Sequence, residues 1–116
     1  MVQLRSELEG VKAEDVELAT GPVAIELKDF ELVPNLIRVK AGETTFILNN
    51  TSTHTHNYRI VAWDDRKNVI YRGRPKVGAK KTKEDTLPLE PGVYYIYCNV
   101  SDHEERGMVG KLFVDS

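Results

Sequence analysis

The chain has one cysteine, Cys98, and one methionine, Met108, besides the initiator. A single thiol excludes an intramolecular disulfide and a CxxC zinc ribbon, so the fold must be held by its core or by a bound ion. No apolar run approaches the ~20 residues needed to cross a bilayer. The first ten residues, MVQLRSELEG, read as too polar for a signal peptide. Neither sign of charge dominates: 16 Lys and Arg against 18 Asp and Glu leave a net charge of −2. That balance gives no general attraction for nucleic acid, and no RNA- or DNA-binding motif supplies a local one. GxSxG, HExxH and glycine-rich phosphate loops are all missing, which removes the common hydrolase, metalloprotease and nucleotide-binding readings and leaves no small-molecule substrate implied.

What is present fits a soluble globular chain of 116 residues, with 41% hydrophobic and 29% charged residues. Residues 1–22 carry Glu7, Glu9, Glu14, Asp15 and Glu17 and close on Gly21-Pro22, and they read as an N-terminal extension, with room for a short helix or an edge strand. From Val23 the pattern changes. AIELKDFEL, LIRVK, TTFILNN, YRIVAW, NVIYRG, VYYIYCNV and GKLFV are short apolar or alternating runs separated by turn residues. Runs of this length and spacing predict an all-β domain over residues 23–116, a Greek-key β-sandwich or barrel of about seven or eight strands.

Alternation orients two of these runs. Tyr94, Ile96 and Cys98 share a face, so a core-facing Ile96 brings the thiol inward. His56, Tyr58, Ile60 and Ala62 form a second set, with His56 at the inner start of its strand, although the opposite face is also partly apolar.

The segment CNVSDHEERGM gathers the cysteine, a histidine and the internal methionine, with four residues between Cys98 and His103 and four more between His103 and Met108. Singly, each has an ordinary explanation: a small buried hydrophobe, a surface imidazole, a core gap-filler. Together, on a loop as polar as SDHEERG, they need something that draws the loop inward. A metal ion does that. Thiolate, imidazole and thioether suit a soft or borderline ion, whereas calcium and magnesium want oxygen and zinc prefers more Cys or His. A second histidine must come from NNTSTHTHNYRIV, which offers His54 and His56. The acidic pairs Asp64-Asp65 and Glu104-Glu105 read as solvated turn charges.

At these residues the chain resembles the cupredoxins, the plastocyanin-like type 1 blue-copper proteins, and most of all those of the rusticyanin, sulfocyanin and auracyanin type. The resemblance rests on HNYRI and YYIYCNVSDHEERGMVGKLFV, and it extends to ELKDFELVPNLIRVKAGETTFILNN and LEPGVYYIYC, covering about residues 23–115. It implies one copper ion cycling between Cu(I) and Cu(II), held by His56, Cys98, His103 and the axial Met108. His56 is favoured over His54 because the family places this ligand directly before Asn or Ser. Asn57 would brace the site, its backbone N–H on the sulfur and its side chain joining the ligand loops. Four protein ligands leave no open coordination position, which implies an electron carrier and not an enzyme. The resemblance further implies redox proteins of an electron-transport chain as partners, a monomer, and an extracytoplasmic location in the periplasm or on the outer face of the cell membrane, with the membrane reached only through an anchor outside this sequence. Electrons would leave through His103, with Val33, Pro34, Gly107 and Val109 near it. A copper storage or delivery protein that does not cycle is the alternative.

One charge feature stands apart. From Arg66 to Lys83 there are eight Lys or Arg and no acid, while residues 1–31 hold eight acids against three bases. The run reads as a solvated loop, or as a surface on which Arg72, Arg74, Lys76, Lys80, Lys81 and Lys83 steer an acidic redox partner.

Overall fold

Apolar alternation broken by turns yields nine strands in the computed structural model, which describes residues 2–116. They are β1 Val23–Lys28, β2 Glu31–Val33, β3 Leu36–Lys40, β4 Gly42–Asn50, β5 Arg59–Ala62, β6 Asp65–Tyr71, β7 Thr82–Leu89, β8 Gly92–Tyr97 and β9 Val109–Asp115. A helix, α1 Val2–Glu9, and a 3₁₀ turn at Ala13–Asp15 precede them. The strands form two mixed sheets, ordered β2-β1-β4-β7 and β3-β9-β8-β5-β6, with β1 parallel to β4 and β3 parallel to β9. This is the sandwich the sequence predicts, with more strands than the seven runs. AIELKDFEL turns at Asp29-Phe30 and splits into β1 and β2. The stretch TKEDTLPL, outside the seven runs, pairs along its whole length with β4 and buries Leu87 and Leu89 in the core. Backbone pairing at a solvated sheet edge does not require an apolar side-chain pattern.

The core lies between the sheets. Val23, Ile25 and Leu27 of β1 and Phe46 and Leu48 of β4 meet Ile37, Ile60, Tyr94, Ile96 and Leu112 from the other side, all nearly inaccessible. Cys98 and Met108 belong to the same cluster.

β8 departs from simple alternation. Tyr94 and Ile96 face this core, yet Tyr95 and Tyr97 are also buried, in a second cluster with Val61, Val109 and Leu8 of α1. The helix therefore covers the outer face of the central strand. It is tied down by Lys111, whose Nζ donates to the carbonyls of Leu8 at 3.0 Å and Val11 at 2.9 Å, placing a cation at the helix C-terminus. No helix among the described residues is long and apolar enough to cross a membrane.

Candidate metal centre

The loop between β4 and β5 and the loop between β8 and β9 meet at one end of the sandwich. The first is fixed by a neighbouring loop and a side chain, the second by its own backbone. His56 forms a two-way bridge with Val77, N to O at 3.0 Å and O to N at 2.9 Å. Asn50, at the end of β4, holds the start of that loop by donating from Nδ2 to the His54 carbonyl at 2.8 Å and to the Val77 carbonyl at 3.0 Å. In the second loop Cys98 N donates to Met108 O and Met108 N donates to His103 O, both at 3.1 Å. The three C-terminal candidates are thus parts of one closed hairpin end.

His56, Cys98 and His103 come together, their donor atoms all within 4.8 Å of one another and all buried. Cys98 Sγ lies 3.6 Å from His103 Nδ1 and 3.9 Å from His56 Nδ1. A metal bonded at about 2.0–2.3 Å to nitrogen and sulfur fits between donors so spaced. Met108 is fully buried beside them in the core. His54 is not part of the cluster: its side chain is 60% exposed.

Asn57 makes the contacts expected of it. Its N–H donates to Cys98 Sγ at 3.3 Å, and Nδ2 donates to Asn99 Oδ1 at 2.8 Å and to the Arg72 carbonyl at 3.2 Å. Burial pushes the Cys98 thiol up, opposed by the N–H groups of Asn57 and Val100. Without a metal the sulfur keeps its proton. Burial pushes His103 down, and the neighbouring His56 adds to this, so its imidazole is neutral and able to coordinate.

Three groups at the site carry no sequence signal. Asp29, at the bend between β1 and β2, accepts from His54 Nδ1 at 2.9 Å and from His56 Nε2 at 2.7 Å. The His54 bond does most to hold its carboxyl below the usual range, against partial desolvation, with the His56 bond adding to it. Phe30 lies 4.8 Å from His103 between ring centroids, with the Arg106 guanidinium 5.0 Å from its centroid. Glu104 is the third.

Glu104 corrects the reading of Glu104-Glu105 as solvated charges. Glu104 is buried, receives both terminal nitrogens of Arg66 at 2.7 and 2.8 Å, and accepts from Tyr95 Oη at 2.6 Å. Only Glu105 is exposed. Val109 is likewise not part of an exit surface around His103, because it is buried in the cluster beneath α1. Val33 and Pro34 are exposed, as expected.

The family model described as the cupredoxin-like domain matches residues 8–114. Among solved structures, auracyanin from the photosynthetic bacterium Roseiflexus castenholzii superposes with a TM-score of 0.72 at 22% identity, covering 84% of this chain and 99% of that one. Auracyanin A of Chloroflexus aurantiacus, titled a "blue" copper protein, gives 0.66 at 24% identity over 82% of this chain and all of its own. Amicyanin from Paracoccus versutus gives 0.61 at 23% identity over 90% of each chain. The iron uptake system component EfeO of Escherichia coli O6:H1 is 28% identical over 93 residues, 79% of this chain. The chain spans only 22% of that protein's length.

Proposed function

The chain belongs to the cupredoxin-like family, and from that premise we propose that it is a type 1 copper protein working as a one-electron carrier between redox proteins. His56, Cys98, His103 and Met108 would hold the ion. The observation that carries this reading is the buried convergence of two imidazole Nδ1 atoms on one thiol, with a buried thioether beside them. Such a donor set favours copper over zinc, calcium or magnesium. Copper bound there supplies a one-electron Cu(II)/Cu(I) couple.

The protein supplies the rest. Backbone bonds between His56 and Val77 and within the Cys98–Met108 loop hold the donors in position before metal arrives, so little rearrangement accompanies a change of charge. Cys98 gives up its proton on binding, and the Asn57 N–H then stabilises the sulfur anion. Four protein donors leave no vacancy for a substrate, as a carrier requires. His103, beneath Phe30 at the loop surface, is the route to a partner. Arg72, Arg74, Lys76 and Lys81 are exposed, and their loop is bonded to the site through the Arg72 carbonyl and Val77. These charges suit an acidic partner, whose association would slow as salt rises. Lys80 and Lys83 are partly engaged, by the Thr51 carbonyl and by Asp85. We place the protein outside the cytoplasm, as a monomer.

The likeness to a component of an iron uptake system favours a second reading, in which the same donors serve metal storage or delivery. Adding Cu(II) decides between them. Optical and electron paramagnetic resonance spectra of wild type, Cys98→Ala, His56→Ala and His54→Ala should show an intense visible thiolate band in the first and last only, bleached reversibly by reductant. Tight Cu(I) binding with no such band would establish delivery instead.

A further inference from the structure

The donor atoms of His56 and its hydrogen-bonding atom lie on opposite sides of the ring. Nδ1 faces Cys98 Sγ, while Nε2 sits 2.7 Å from Asp29 Oδ1. A carboxylate has no proton to give, so the ring donates from Nε2, and in the neutral tautomer so fixed the lone pair on Nδ1 points into the cluster. The other oxygen of Asp29 is engaged by His54 Nδ1 at 2.9 Å. His56 has a fully buried side chain, Asp29 is 28% exposed and His54 is 60% exposed. The three side chains therefore run from the core outward. Asp29 cannot itself be a ligand in this arrangement, because His56 lies between it and the sulfur.

We propose that Asp29 is a positioning residue for the metal centre: it fixes the tautomer and tilt of His56, and His54 is the outer anchor that holds the carboxylate in place. The inference rests on the copper reading for its functional consequence, but not for its geometry. A carboxylate on the far nitrogen of a ligating imidazole makes the ligand more basic and restrains its ring, and removing such partners elsewhere lowers metal affinity about 10–100-fold. Negative charge at that position also favours the ion of higher charge, so Cu(II) is strengthened more than Cu(I). His54, the first histidine of THTHN, thus has a task although it is not among the proposed ligands.

The test uses Asp29→Ala, which removes the acceptor, Asp29→Asn, which keeps an acceptor oxygen without charge, and His54→Ala. In the metal-free protein, long-range nitrogen–proton spectra should show His56 protonated at Nε2 in wild type, retained in Asp29→Asn and mixed in Asp29→Ala. Chelator competition should give a 10–100-fold loss of Cu(II) affinity in Asp29→Ala and a smaller one in His54→Ala, within the range seen for such partners. In Asp29→Asn the Cu(II)-over-Cu(I) preference should fall, each tenfold change raising the potential by about 59 mV. An unchanged His56 tautomer in Asp29→Ala, or a Cu(II) affinity in Asp29→Ala equal to that of a copper-binding wild type, overturns the proposal. Failure of wild type to take up copper would sink the copper reading alone, since the nitrogen spectra still decide the role of Asp29.

Discussion

Two glycines with nearly the same backbone conformation should respond very differently to one methyl group. Gly73 has φ +68° and Gly21 has φ +76°, both in the left-handed region. Alanine there costs about 1–2 kcal/mol from the Cβ–carbonyl clash alone. At Gly21 a Cβ meets nothing within 4 Å, so that strain is the whole effect. At Gly73 it would lie 2.3 Å from Asn57 Oδ1 and 2.5 Å from the Tyr58 carbonyl. The backbone carbonyl has little freedom to retreat, so Asn57 must move and give up its bonds to Asn99 and Arg72. Each is worth about 0.5–1.5 kcal/mol. The Gly73→Ala loss is then about 2–5 kcal/mol against about 1–2 for Gly21→Ala. Urea unfolding of the metal-free variants measures the difference directly. In the copper-loaded protein the visible band should shift for Gly73→Ala only, because the N–H on Cys98 Sγ moves with Asn57. Equal losses in the two variants would refute the reasoning, showing that the site gives way at Gly73 without effort.

Glu104→Gln should destabilise by about 1–3 kcal/mol in denaturant unfolding, since it weakens charge-assisted bonds from Arg66 and Tyr95 in a buried place. Lys111→Met should remove the charged donor shared by the carbonyls of Leu8, Glu9 and Val11 and release α1, seen as faster proteolytic cleavage before residue 20 while the visible spectrum stays unchanged. Cys98→Ala should abolish the coloured centre yet leave a folded protein, since its thiol is a core side chain that loses only a small volume; loss of the cooperative unfolding transition would contradict this. Charge reversal at Arg72 and Lys76 together should slow association with an acidic redox partner and flatten its salt dependence, measured by stopped flow.

The sequence made legible what lies close together in it. Cys98, His103 and Met108 stand on one loop, and the period of two in β8 correctly turns Ile96 and Cys98 inward. The family resemblance favours His56 over His54 through its following Asn57; His56 lies in the buried cluster and His54 is 60% exposed. What escaped depends on contacts across the fold. Asp29 precedes His56 by 27 residues and meets it only because the turn after β1 reaches the same end of the sandwich. Glu104 looks identical to Glu105 until Arg66 arrives from β6. Strand β7 alternates only at its end, where Leu87 and Leu89 enter the core; pairing with β4 carries the polar remainder. The covering of Tyr95 and Tyr97 by α1 is likewise tertiary, and no local signal marks it.

The hairpin that joins β8 to β9 separates two design problems. Cys98 and Met108 face each other across the last rung, N to O, so the positions of both sulfurs are inherited from the sheet. The nine residues from 99 to 107 contribute only one proposed donor, His103. Lengthening, shortening or exchanging that segment would move the imidazole together with the Asn99 and Glu104 contacts it carries, while the rung between Cys98 and Met108 stays with the sheet. A chain built this way can be retuned for new acquaintances by grafting one loop, with its foundations untouched.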